Sequence, residues 1–121
     1  MTESLLVQLR KGVLDMCVLA LLARHDSYAY EIASRLADDI GMGEGTIYPL
    51  MRRMQSDGLV KTYLEESSSG PPRKYYQLTK AGHAALAAQK AEWTAFTAGV
   101  AKVMTDAKIA TPAPRSPGAA Q

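Results

Sequence analysis

Cysteine and histidine are scarce in this chain: one Cys, at 17, and two His, at 25 and 83, among 121 residues. A lone cysteine excludes an intrachain disulfide, and neither histidine has a companion at metal-ligand spacing, so no metal site is expected. Cys17 stands among Met16, Val18 and Leu19 and reads as a small buried hydrophobe rather than a reactive thiol. Long apolar runs are also missing. The longest, near 13–23, is interrupted by Asp15 and falls short of the roughly 20 residues that a membrane span requires. The same aspartate argues against a signal peptide, so a cytoplasmic location is expected. There is no glycine-rich phosphate loop, no nucleophile elbow and no pair of carboxylates in a plausible cleft, which leaves enzyme chemistry and cofactors without a foothold.

What is present is ordinary in amount and uneven in placement. A hydrophobic share of 47% with 21% charged residues fits a globular chain. At this length it holds one compact domain and some extra helix. The net charge of +2 hides an asymmetry: residues 1–51 carry four basic and seven acidic side chains, whereas residues 52–80 carry six basic and three acidic. Positive charge gathered in one stretch is the footprint of a phosphate-binding surface.

Residues 4–24 read as a helix. Leu6, Leu9, Val13, Cys17, Ala20 and Leu21 lie on one side, with Leu5, Met16 and Leu19 on others. A helix apolar on more than one face needs more than one partner, and a second subunit is the economical one. Ser27 is the expected N-cap of a second helix to about Asp39, with Ala29, Ile32, Ala33, Leu36 and Ile40 as its stripe. Gly41 and Gly43 then make a tight turn, giving a helix-turn-helix. The third helix lies in GEGTIYPLMRRMQSDG, residues 43–58. Ile47, Leu50, Met51 and Met54 fall at i, i+3, i+4, i+7 and face a core, while Thr46, Tyr48, Arg52 and Arg53 offer groups that reach phosphate oxygens or base edges. Pro49 predicts an irregular first turn, and Gly58 a left-handed stop.

Residues 59–65 read as a strand, 67–72 as a long flexible tip and 73–78 as the returning strand. Three helices and a hairpin make a winged helix, with Arg73 and Lys74 near the wing's tip, where the backbone of DNA would lie. Thr79 caps a last helix on which Leu86, Trp93, Phe96, Val100 and Val103 form an a/d seam broken by Gln89, which implies a partner helix. The stretch IATPAPRSPGAAQ cannot build a core. The expected organisation is a mainly α fold with a small β-hairpin: a winged helix-turn-helix at 1–78, a dimerisation helix at 79–107 and a disordered tail at 108–121.

Taken together, YAYEI in the second helix, GTIYPLMRRMQSDGLV in the third and RKYYQLTKAG at the end of the wing resemble the PadR family of bacterial transcription regulators. The single C-terminal helix is similar to that of the smaller subfamily, which includes drug-sensing repressors. The resemblance spans roughly residues 9–104 and implies a homodimeric winged-helix repressor joined through its first and last helices. It places Thr46, Tyr48 and Arg52 at positions that face DNA, Tyr30 at the base of the reading head, and Arg73, Lys74 and Tyr75 in the wing signature. It also places Trp93 where drug-sensing members stack planar ligands at the dimer centre. Gln89 and Lys90 stand at flanking positions that are apolar in those members, and Asp15 and Met16 complete the implied effector set. Packing across the dimer is an equally available role for Trp93.

The sequence therefore reads as a DNA-binding repressor, a homodimer on a pseudo-palindromic operator, released by a small aromatic or drug-like effector between its subunits. The interface residues expected are Leu6, Leu9, Val13, Leu86, Phe96, Val100 and Val103. The rival reading is a winged helix whose third helix docks on a protein instead of DNA, and the salt dependence of binding separates the two.

Overall fold

The computed structural model describes residues 4–108 and 110. The expected disordered tail therefore lies, but for residues 108 and 110, outside the described residues. Helix α1 (Leu5–Arg24) begins at Ser4, whose Oγ accepts a hydrogen bond from the Val7 N–H. It buries Leu14, Val18, Leu19 and Leu22 and leaves Leu5, Leu6 and Leu9 exposed. Its inward face is thus the Leu14-Val18-Leu22 line with Leu19, while the stripe containing Leu6 and Leu9 turns outward. Periodicity alone cannot choose between two apolar stripes on one helix.

Ser27 departs from the expectation. Ser27 and Tyr28 form a short strand, β1 (Ser27–Tyr28), and helix α2 (Ala29–Ile40) starts from Tyr28 without a side-chain cap. The Ser27 hydroxyl is buried and donates to the His25 carbonyl at 3.3 Å instead. A strand of two residues leaves no periodicity to detect, and its partner lies some fifty positions away in sequence. Gly41, at φ 71°, ends α2, and its N–H and that of Met42 return to carbonyls of the last turn. A side chain at Gly41 would be strained by that φ and would also press on the Arg10 guanidinium.

Helix α3 (Glu44–Ser56) runs through Pro49 as a continuous element. Its start is tight: Thr46 N–H bonds to the Gly43 carbonyl three residues back. At the other end Gly58 takes φ 76°, and Gly58 and Leu59 donate to the carbonyls of Gln55 and Met54, a Schellman stop.

The wing is more ordered than its composition implies. Strand β2 (Val60–Ser67) pairs antiparallel with β3 (Gly70–Leu78), and β1 joins the other side of β3, giving the order β1-β3-β2. The long flexible tip expected at 67–72 is wrong, because Ser67 already pairs with Gly70 and leaves Ser68 and Ser69 as the turn. Pro71 and Pro72 lie within β3 opposite Glu66, where the register slips by one residue. They are tolerated because a bulge needs fewer ladder donors and β1 does not reach that part of β3.

Thr79 caps helix α4 (Lys80–Asp106) as expected, its Oγ1 accepting from the Gly82 N–H at 3.0 Å. The same hydroxyl donates to the Gly58 carbonyl at 2.7 Å, and the Thr79 N–H donates to the Leu59 carbonyl. Gly82 is buried against that turn, and a Cβ there would collide with the Leu59 carbonyl oxygen. The chain divides into two compact units, Met1–Ala91 and Glu92–Gln121, with α4 crossing the boundary. The first unit holds the core, in which Val18, Leu19, Ile32, Ile47, Met51 and Met54 are fully buried. Among the described residues no helix is long and apolar enough to cross a membrane.

Candidate nucleic-acid interface

Helix α3 divides into three faces. Ile47, Leu50, Met51 and Met54 are all buried, as their spacing requires. Each such side chain contributes roughly 1.5–3 kcal/mol relative to leaving it in water, so this face fixes the helix's rotation about its axis. Tyr48 and Arg52, four residues apart, share an exposed face, and Tyr48 keeps 41% of its surface open. Thr46 and Arg53 are exposed as well but lie toward α1. With Lys11, Leu14, Asp15, Pro49 and Leu50 they line an open hollow between the two helices.

Within that hollow Arg53 Nη2 donates to both carboxylate oxygens of Asp15, at 3.0 and 3.2 Å. The hydrogen bond to Asp15 raises the guanidinium's already high pKa, so it stays charged at any working pH. Both side chains are about half exposed, and an ion pair of this kind is worth about 0–1 kcal/mol. It ties α3 to α1 more by geometry than by energy. Arg53, grouped by sequence with the reading residues, thus has a partner within the protein. So does Asp15, which the resemblance assigned to effector binding.

The wing separates Arg73 from Lys74, since neighbouring residues of a strand point to opposite faces. Lys74 Nζ lies 5.6 Å from the centre of the Tyr76 ring on the core side. Arg73 and Tyr75 share the outer face, where Tyr28, Tyr75 and Tyr63 sit opposite one another on β1, β3 and β2. Tyr63 and Tyr75 stack with centroids 5.7 Å apart and planes 17° apart, and Tyr75 meets Tyr28 edge-on at 5.4 Å. Such pairs contribute about 0.5–1.5 kcal/mol each beyond burial. The Arg73 guanidinium lies over the Tyr28 ring, 4.7 Å from its centre.

The row is anchored at its end by Asp26. Its Oδ2 accepts from the Tyr63 hydroxyl at 2.7 Å and from Gln77 Nε2 at 3.2 Å. Donating to that carboxylate pushes the Tyr63 phenol up to about 12. Sequence reasoning did not bring out Asp26, Tyr28, Tyr63 or Gln77. The alternation of Arg73, Tyr75 and Gln77 on one strand was the available signal, and the missing element was β1. Tyr30 stands in the first turn of α2, 60% exposed.

The remaining expected residues fall as follows. Leu6, Leu9, Phe96, Val100 and Val103 are exposed, Val13 is half-buried, and Leu86 packs partly buried against its own core. Phe96, Val100, Val103 and Met104 line an open apolar groove with Ala95 and Gly99. Met16 and Gln89 are half-buried and Lys90 exposed in the first unit, and Trp93 is exposed in the second. Burial raises the Cys17 thiol above its usual pKa, the opposite of what a reactive thiolate requires.

Comparison with known proteins places these features in a family. The sequence pattern of the "Transcriptional regulator PadR-like family" matches residues 18–88, from the middle of α1 into α4. A PadR-like transcriptional regulator from Bacillus cereus is 35% identical, with 84% of this chain and 99% of that one covered at a TM-score of 0.76. A PadR family regulator from Eggerthella lenta is 38% identical, covering 84% and 89% of the two chains at 0.73. A Lysinibacillus sphaericus protein of uncharacterised role is 31% identical over 87 residues, 69% of this chain and 80% of that one. With a winged helix whose third helix presents tyrosine and arginine outward, and with these relatives, the chain belongs to the PadR-like family of transcriptional regulators and is a DNA-binding regulator rather than an enzyme.

Proposed function

We propose that the protein is a homodimeric repressor whose two α3 helices enter successive major grooves of a pseudo-palindromic operator, about one helical turn apart. The observation that carries this reading is the exposed Tyr48–Arg52 face of a helix whose opposite side is fully buried. Packing leaves α3 no freedom to roll, so this face is the one offered to a base edge or a phosphate. Thr46 and Tyr30 flank it, and Arg73 on the wing meets the adjacent backbone. Two sets of exposed apolar residues support dimerisation: Leu5, Leu6 and Leu9 on α1, and Phe96, Val100, Val103 and Met104 on α4. Surface of that character is normally covered by a partner, here a second copy.

Release by a small molecule is part of the proposal. A planar ligand stacked on the exposed indole of Trp93 favours a spacing of the two reading heads that no longer fits the operator, and only differential affinity for the two states drives such a shift. Titrating planar aromatics while following Trp93 fluorescence tests this, and the absence of both a saturable change and an effect on DNA affinity refutes it.

Replacing Tyr48 and Arg52 together by Ala tests the reading surface. The expected result is loss of specific binding to a duplex selected by the unaltered protein from a random pool, with the dimer intact by sedimentation. Unchanged affinity would sink the assignment of α3. The salt dependence is a second arm: about six phosphate contacts lose on the order of a thousandfold in affinity between 50 and 200 mM salt, whereas docking on a protein through an apolar surface does not.

A further inference from the structure

We propose that Tyr28, backed by Tyr75 and Tyr63 and anchored by Asp26, is a positioning residue that holds the Arg73 guanidinium in place for its contact with the DNA backbone. This rests on the reading above that the wing meets DNA. The geometry is a chain of contacts across three strands. Asp26, in the turn before β1, accepts from Tyr63 on β2 and Gln77 on β3. Tyr63 stacks on Tyr75, Tyr75 meets Tyr28, and Tyr28 carries Arg73 over its ring. Each ring fixes the next, so the guanidinium at the end has a defined place before DNA arrives.

The reason such a device is useful is entropic. Arginine on an exposed strand has many rotamers, and holding it for one phosphate costs part of the attraction gained. A ring face restricts the guanidinium plane while leaving its N–H groups free to donate to phosphate oxygens. Tyr75 is half-buried between two rings, so its part in the wing signature is to support this arrangement rather than to touch DNA. The register adds a further point. Tyr28 is two residues before Tyr30, so the strand that carries Arg73's platform leads directly into the helix that presents Tyr30. The row thereby sets the wing's cation relative to the reading head.

The test is a double-mutant cycle on the full-length protein, with a duplex selected by the unaltered protein as the probe. Arg73→Ala is expected to lower the salt slope of binding by about one and affinity at low salt by about threefold to tenfold, the signature of one lost phosphate contact. Tyr28→Leu is expected to do the same with Arg73 still present. The double variant is expected to lose no more than either single one, and Tyr28→Phe, which keeps the ring, is expected to bind like the unaltered protein. A Tyr28→Leu protein that binds with the unaltered slope, or losses that add in the double variant, would overturn the inference and leave the functional reading standing. Failure of the unaltered protein to bind any duplex would overturn that reading and this inference with it. An independent measurement needs no variant: in the free protein the Arg73 side-chain protons should show an upfield ring-current shift, and ordinary random-coil shifts there would also refute the arrangement.

Discussion

Asp26 illustrates how much depends on one side chain. Its carboxylate is the acceptor for the Tyr63 hydroxyl, and the phenol's pKa rises from 10.0 to about 12 because the neutral form makes that hydrogen bond. The sign of the consequence follows from linkage. A group whose pKa is higher in the folded than in the unfolded protein contributes stability that is fully present below pH 10 and is lost as pH rises toward 12. Absorbance titration should therefore find the Tyr63 phenolate forming near pH 12, and Asp26→Ala should return it toward 10. If Tyr63 titrates near 10 in the unaltered protein, the hydrogen bond does not persist in solution. Asp26 sits in the polar break that sequence places after the first helix, but a short polar residue in a turn carries no mark of the tyrosine that uses it. Tyr48 and Arg52 differ: the rhythm of Ile47, Leu50, Met51 and Met54 around them fixes which way they point.

The junction of α3, β2 and α4 shows how elements are set against one another. The Schellman stop at Gly58 directs Leu59 backward, and the start of α4 is fastened to that turn through Thr79 and pressed against it at Gly82. In an open helical position a change from glycine to alanine is favourable by about 0.5–1 kcal/mol. At Gly82 the sign reverses, because the new methyl meets a backbone oxygen that cannot move without the turn. Gly82→Ala should destabilise the protein by about 1–3 kcal/mol, the usual range for overpacking against a fixed neighbour, read as a lower urea midpoint with unchanged slope. A midpoint equal to that of the unaltered protein would mean that α4 tilts freely at its start. The cap Thr79 was legible from the sequence, since a threonine before a helical run accepts from the first free N–H groups. The role of Gly82 was not, because it depends on a carbonyl more than twenty residues earlier in the chain. The wing teaches the same lesson. Serine, glycine and proline over 67–72 suggested a loose loop, yet pairing across the hairpin and a bulge at the prolines made it a strand.

The whole protein joins a charged reading surface to apolar faces that need covering. Phe96 and Val103 on α4 expose 63% and 68% of their surface. Burying them between two copies removes apolar area from water at about 25 cal/mol per Å², whereas a buried carboxylate there would be costly. Phe96→Asp with Val103→Asp should give a monomer by sedimentation. Operator affinity should fall by about a hundredfold or more, because the second head no longer benefits from the first being bound. Circular dichroism and thermal melting of the 1–91 core check that the fold survives. A dimer that persists would move the interface away from this face.

The order and kind of the helices, the core side of α3, the cap at Thr79 and the gathering of positive charge after residue 51 followed from local chemistry, because each depends on residues within a few positions of one another. The third strand, the closed wing tip, the partner of Arg53 and the tyrosine row under Arg73 were decided by the tertiary structure. In each of these the interacting groups are far apart in the chain: Tyr28 meets Tyr75 only because β1 pairs with β3, and Asp15 meets Arg53 only because α1 packs beside α3. A pattern that repeats every two or four residues says which way a side chain faces, and the packing of elements against one another says what it finds there.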